Sequence, residues 1–290
     1  MSIFLQLLVN GLLLGGAYAI ISISLTLIFG VVRVVNFAHG ELLMIGLYVV
    51  WLLAVHAGLH PYAAAIPVAL LLFAVGALIQ RFVIQPLLSA EPHIQIFATV
   101  GVSTALLNLA LMVFGADVRK VDAVLGTGAF QIGPINIVTG QLVTFVVAIL
   151  IAVGLHLFLQ RSFTGRGLRA LAQNRDAAAL MGVNVNQAYV LAFGIGAALC
   201  GLASGLLAVQ YPAFPTVGQY FVLTAFVIVV LGGLGSLPGA VVGSLFIGLI
   251  DSLAGFYVGP DMKEIVYFVI FLVILVVRPT GLFGLGRGSE

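Results

Sequence analysis

Charge is what this 290-residue chain has least of: Asp, Glu, Lys and Arg make up 7% of it, against 62% hydrophobic residues. A soluble domain carries about a quarter charged residues. With a mean hydropathy of +1.27, the chain lacks the ionic surface that water requires, and a soluble fold is excluded. A single cysteine, Cys200, excludes an intramolecular disulfide. Its apolar neighbours mark it as a small buried side chain rather than a reactive thiol. No Lys or Arg precedes Arg33, so the basic segment of a cleavable leader is missing and the first apolar stretch is expected to be retained. The net charge of +2 is small and dispersed, which argues against a nucleic-acid partner.

Several chemistries lack their parts. A phosphate-binding loop needs a lysine directly after glycine, whereas Lys120 follows Arg119 and Lys263 follows Met262. This chain therefore has no nucleotide cradle of that kind. His39 is followed by Gly40 and Glu41 with no second histidine at the spacing of a zinc protease, and Ser204 has no histidine after His156 to activate it. No catalytic residue, metal ligand or cofactor site is expected.

What the chain has is apolar runs separated by small residues. Stretches long enough to approach the ~30 Å of a bilayer core occur at 5–29, 42–55, 63–83, 94–114, 138–159, 188–209, 221–231, 240–256 and 265–277. They predict an all-α polytopic membrane protein of about eight to ten membrane segments, forming a single transmembrane domain over residues 1–290. Three runs, 42–55, 221–231 and 265–277, are short and are expected to borrow flanking residues or to be broken helices. Gly11 and Gly15, Ala197, Gly201 and Gly205, and Gly239 and Gly243 recur every fourth position, the spacing that lets helices approach closely in lipid.

Orientation follows from the arginines. Arg161, Arg166, Arg169 and Arg175 oppose a single Asp176, so the 161–187 loop is expected to be cytoplasmic. The 115–137 loop balances Asp117 and Asp122 against Arg119 and Lys120 and belongs outside. Arg278 and Arg287 put the C-terminus inside. Counting back through single crossings puts Arg33 inside and the N-terminus outside, unless residues 34–41 re-enter the membrane.

Two segments interrupt the apolar pattern. Residues 29–41 carry Arg33, Asn36, His39 and Glu41 between two apolar runs. Ionisable groups in lipid cost about 2.5–3.5 kcal/mol each on insertion scales, so this cluster lies either at an interface, where it caps helices, or along a pathway. Its counterpart at 231–239 holds Gly232, Gly233, Gly235, Ser236 and Pro238, which cannot form a helix interior. Paired interruptions point to a route built from discontinuous helices. Asp251, midway along its run and without an evident basic partner in sequence, is a further pathway candidate. The alternative role for it is hydrogen bonding inside the bundle.

The 164–185 segment reads as two short helices at an angle. Leu168, Leu171 and Ala172 share a face of the first, Asn174 caps the second, and Gly182 ends it in the left-handed conformation. Its apolar residues, with Ala178, Leu180 and Met181, are too few to span lipid. They suit a groove on a cytoplasmic partner with arginines at the rim, or else packing on the bundle itself or on the membrane surface.

Residues 35–46, 167–184, 230–243 and 278–284 together resemble the branched-chain amino acid permease family of ABC importers, in particular the shorter of its two permease subunits. The resemblance implies an inner-membrane subunit of an importer for leucine, isoleucine and valine. It would pair with a second permease, two cytoplasmic ATP-binding subunits and a periplasmic binding protein, with ATP hydrolysis on the partner chains. Arg166, Leu168, Arg169, Leu171, Asn174, Arg175, Asp176, Leu180, Met181 and Gly182 would then couple to an ATPase cleft. Urea, amides or other amino acids are alternative substrates. A proton-coupled transporter using Glu41 and Asp251 is the rival class, and a structural or intramembrane enzymatic protein is the third.

Overall fold

A computed structural model describes residues 2–121, 126, 128–260, 262–278 and 281–283. Among them the elements are α1 (Ser2–Val32), α2 (His39–Ala57), α3 (Pro61–Ile79), α4 (Pro92–Phe114), β1 (Ala129–Ile132), β2 (Ile135–Val138), α5 (Thr139–Arg161), α6 (Phe163–Gln173), α7 (Arg175–Leu180), α8 (Val185–Leu207), α9 (Val217–Gly232), α10 (Leu237–Tyr257) and α11 (Lys263–Val277). Beyond α3 a π-helical turn, Gln80–Ile84, and a 3-10 turn, Gln85–Leu87, extend the helix. Seven helices are long and apolar enough to cross a membrane. The 16-residue α9 and 15-residue α11 are shorter. Of the three short apolar runs, 42–55 gains its flanks and becomes a 19-residue helix, while the other two stay short.

Helix α1 is the axis of the bundle. Its 31 residues extend about 46 Å, well over the bilayer core, and α5, α8, α9 and α10 pack around it. The small residues do what their spacing predicts. A Cβ on Gly11 would lie 2.8 Å from the Leu249 backbone, and one on Gly15 would lie 2.8 Å from that of Leu245. Gly201 and Gly205 meet Ala69 and Ala65 in the same way, closing α8 on α3.

Two contacts name the ends of the bundle. At one, Gln6 exchanges two 2.7 Å hydrogen bonds with the Asn136 backbone in the β1–β2 hairpin. At the other, the Arg33 guanidinium donates to the Ala172 carbonyl at the end of α6, 2.8 Å away. Arg33 and the arginine-rich loop therefore share one end, the α6–α7 end, and the 115–138 loop takes the hairpin end. Asp122 and Arg287, used in the orientation argument, lie outside the described residues.

The chain is broken twice inside the bundle. Arg33 holds φ +58°, and it is the one non-glycine described residue in that region. There the chain reverses, and residues 34–38 run back beside α1 before α2 begins. His39, the first residue of α2, reaches Ser24, nine residues before Arg33 and so about 13 Å up the helix. Helix α1 ends at Val32 and α2 starts at His39. From the opposite end, α8 stops at Leu207. Residues 208–216 then turn back inward, tied to the outer loop by the Arg119–Ala213 backbone pair at 2.8 Å in both directions, and α9 starts at Val217.

The two re-entering segments meet at glycine. A Cβ on Gly40 would fall within the Gly218 carbonyl group, and one on Gly218 would fall 2.5 Å from the Gly40 oxygen. Irregular backbone is tolerated at membrane depth only where protein covers it, and Val34, Asn36 and Ala38 are accordingly buried. Gly218→Val should destabilise the protein by about 3 kcal/mol, the upper range for overpacking. Gly101→Val, which meets nothing within 4 Å, should leave thermal unfolding of the detergent-solubilised protein unchanged. Equal melting curves for the two variants would refute the crossing.

Candidate functional site

Of the polar residues of the first break, Arg33 is exposed and Asn36, His39 and Glu41 are interior groups. Ser24 Oγ donates to the Ile21 carbonyl at 2.6 Å, so its oxygen accepts from His39 Nε2 at 2.7 Å. Cys200 Sγ on α8 lies 3.2 Å from the same nitrogen, and all three residues are fully buried. One side chain from each of α1, α2 and α8 thus closes around the start of α2. Asn36 accepts from the Ala38 backbone N–H at 3.1 Å, shaping the turn into the helix. Glu41 accepts from Ser103 Oγ of α4 at 3.2 Å, and Thr99 Oγ1 donates to the Val35 carbonyl at 3.1 Å. Asn36, His39 and Glu41 therefore pin the break between α1, α4 and α8. Ser204 bonds back to the Cys200 carbonyl at 2.8 Å and across to that of Leu43 at 3.1 Å, an arrangement that packs helices and activates no nucleophile.

Within 231–239, residues 233–236 form a tight turn between α9 and α10, at the α6–α7 end of the bundle. This departs from the expectation of a discontinuous helix. The discontinuity paired with residues 33–38 is 208–216, whose Tyr-Pro-Ala-Phe-Pro sequence carries the signal in its two prolines. Within the turn Gly233 and Gly235 hold φ +103° and +85°, and Ser236 caps α10 through the Gly239 N–H at 3.2 Å. Gly232 lies against Gly239, and Gly235 against Gly30. The segment after α11 returns to this turn: Leu282 N–H donates to the Leu231 carbonyl at 2.8 Å and Phe283 N–H to that of Gly232 at 3.1 Å. These bonds satisfy the free carbonyls at the end of α9. Gly235 and Ser236 line a cavity of about 240 Å³ together with Gly30, His156 and Arg169.

Asp251 has the basic partner that the sequence hid. Lys263 Nζ, twelve residues on at the start of α11, lies 3.1 Å from both carboxylate oxygens. Tyr18 of α1 donates to Asp251 at 3.4 Å, and Tyr18 and Tyr220 hydroxyls are 3.0 Å apart. Lys263 also donates to Tyr220 at 3.3 Å. Buried charge is tolerable in lipid when paired and bonded in this way, and a carboxylate so engaged is not a free proton carrier. Sequence reasoning missed Lys263 because only an antiparallel turn of α11 against α10 brings it back.

The second loop helix has the predicted cap and stop, and the first has a cap that was not predicted. Ser162 accepts from Gly165 N–H at 2.8 Å, Asn174 accepts from Ala177 N–H at 3.0 Å, and Gly182 ends α7 at φ +86°. The apolar residues divide into two sets. Leu168 and Leu171 do not face outward, because α6 lies on α5, α1 and α8 and buries them. Leu180 and Met181 stand 89% and 85% exposed, with Phe163 at 88%. Arg166, Arg169, Arg175 and Asp176 are exposed on the same two helices. Phe163 went unnoticed in sequence; its position just after the Ser162 cap was the available signal.

A helical bundle with two re-entrant breaks meeting at its centre, a buried polar lining and a projecting amphipathic element at one end defines a membrane transport protein of the permease class. The chain belongs to the family described as branched-chain amino acid transport system / permease component, which matches residues 7–275. It is 36% identical to the high-affinity branched-chain amino acid transport system permease protein BraD of Pseudomonas aeruginosa, over 97% of this chain and 96% of that one. To the corresponding LivH protein of Escherichia coli K12 it is 33% identical, over 97% and 96%. To a probable LivH of Methanocaldococcus jannaschii it is 27% identical, over 96% and 92%. No solved structure matches the chain.

Full burial of Cys200 has a direct chemical consequence. A membrane-permeant maleimide should leave the folded protein unlabelled and modify it at one site after denaturation in detergent. Labelling of the folded protein at the denatured rate would show the break to be open to water.

Proposed function

We propose that this chain is the permease subunit through which an ATP-driven importer carries leucine, isoleucine and valine across a bacterial inner membrane. It pairs with a second permease of the same family to form the pathway, works with two cytoplasmic ATP-binding subunits and receives substrate from a periplasmic binding protein. The α6–α7 end is cytoplasmic, together with the C-terminus, and the hairpin end faces the binding protein. Membership of the family and the near full-length similarity to BraD and LivH support the substrate class.

The observation that carries the coupling assignment is the surface of α6 and α7. Leu180 and Met181 stand in the open between Arg175 and the Gly182 cap, on a chain without a phosphate-binding loop. An exposed apolar pair on an arginine-bearing element fits a groove on a partner, and Arg33 ties the end of α6 directly to the end of α1. Movement of that element is thereby passed to the helix around which the bundle is built, the kind of coupling by which a partner's closure switches access. Arg166, Arg169, Asn174, Arg175, Asp176, Leu180, Met181 and Gly182 form or shape the docking surface. Leu168 and Leu171 hold α6 to the bundle beneath it.

Leu180→Asp combined with Met181→Asp should abolish co-purification of the ATP-binding subunits while leaving membrane insertion and melting temperature unchanged. Leu171→Asp should instead lower stability by several kcal/mol, because it buries a charge without a partner. Undiminished recovery of the ATP-binding subunits with the double variant would overturn the assignment. In proteoliposomes holding the full assembly, leucine uptake should stop when the ATP-binding subunits are inactivated and survive collapse of the proton gradient. The opposite pattern would favour proton coupling.

A further inference from the structure

Four helices converge on one ion pair at the hairpin end. Asp251 comes from α10, Lys263 from α11, Tyr220 from α9 and Tyr18 from α1. Ser252, next to Asp251, donates to the Leu7 carbonyl at 2.8 Å, which sets the pair level with the first turns of α1 and near the hairpin. In the orientation proposed above, this is the side from which substrate arrives. The carboxylate is 3% exposed and the lysine side chain 23%, so the pair is sheltered and open at its cationic edge.

The anchoring of α11 is slight. Tyr267 is its only buried residue, the α10–α11 turn passes through Gly259 at φ +121°, and apart from the bonds of Lys263 to Asp251 and Tyr220 its interhelical polar tie among the described residues is the 3.3 Å contact between Tyr267 and Thr224. The helix that carries the cation can therefore move away from the one that carries the anion at small cost. Through Tyr220 the charges adjoin an aromatic cluster: the buried Phe221 meets Tyr220 edge-on at 5.2 Å and Tyr211 edge-on at 5.3 Å, a wall that opens only when α11 moves.

Stability alone does not account for the pair, since apolar residues of similar volume do as well or better in a buried setting. The geometry points to a substrate site: we infer that Asp251 and Lys263 part to receive the head group of a zwitterionic α-amino acid. Asp251 holds its ammonium with Tyr18, Lys263 holds its carboxylate with Tyr220, and the aliphatic side chain lies on the Phe221–Tyr211 wall. One ion pair is exchanged for two, so no charge is left unpaired in either end state. Without substrate the pair closes on itself. Loose selection among aliphatic side chains follows, because an apolar wall separates substrates differing by a methylene poorly, whereas the head group is read by charge.

This inference rests on the proposed amino-acid substrate, and the experiment separates the two. Wild type, the neutral pair Asp251→Asn/Lys263→Met and the swap Asp251→Lys/Lys263→Asp are each reconstituted with the second permease, the ATP-binding subunits and leucine-loaded binding protein. Wild type should accumulate leucine. The neutral pair should assemble and hydrolyse ATP, yet lose leucine uptake by about tenfold or more, the scale of charge-assisted hydrogen bonds. The swap should recover any loss of assembly without recovering uptake. Wild-type uptake rates in the neutral pair, or recovery of uptake by the swap, overturn the site and reduce the pair to a structural tie. Failure of wild type itself to accumulate leucine overturns the substrate reading, and the site inferred from it.

Discussion

Gly40 on α2 and Gly218 on α9 touch backbone to backbone, with no room for a side chain between them. The centre of the protein depends on that contact. It brings two re-entering segments together from opposite ends of the bundle, so that neither exposes its irregular backbone to lipid. Every unsatisfied amide in a bilayer costs several kcal/mol, and an interrupted helix survives there only if protein closes over the interruption. α1 supplies one wall of that enclosure, α4 and α8 the others. Ser24, His39 and Cys200 fasten the seam from within.

The same constraint explains the polar interior. Asn36, His39, Glu41 and Asp251 are each buried, and each bonds to at least one group on the protein, while Asn36 Nδ2 and Glu41 Oε2 have no hydrogen-bond partner among the described residues. At the two ends the logic changes, because water is available. The 231–239 turn uses glycines in the left-handed region to reverse direction within a few residues, and the C-terminal segment satisfies the carbonyls that the turn leaves open. On α6 and α7, apolar residues divide between those that attach the element, Leu168 and Leu171, and those that project from it, Leu180 and Met181.

Much of this was legible in one dimension. Apolar runs marked the membrane helices, four-residue glycine spacing marked the tight α1–α10 and α3–α8 contacts, and Asn174 and Gly182 marked the start and stop of α7. Those features are local or periodic, and a helix repeats its geometry faithfully enough for spacing alone to report which face is which. Other features were not legible. The second internal break was expected at the glycine-rich 231–239 segment and lies instead at 208–216. Glycine abundance reports backbone freedom, and both a surface turn and a buried break use it. The division of the leucines in α6 and α7 was equally hidden, since amphipathicity says that a face will be covered and not by what.

By itself, the sequence determined that the chain lives in lipid, that it is helical, that it lacks the phosphate-binding-loop motif and that its arginines gather in one loop. Each of these follows from composition or short-range pattern, where the physical cost is incurred residue by residue. Only the tertiary structure decided that Lys263 answers Asp251, that Tyr18 and Tyr220 join them, and that His39 sits between a serine and a cysteine. Such meetings depend on how whole helices lie against one another, across separations of up to 233 residues, and no local rule of the chain encodes them.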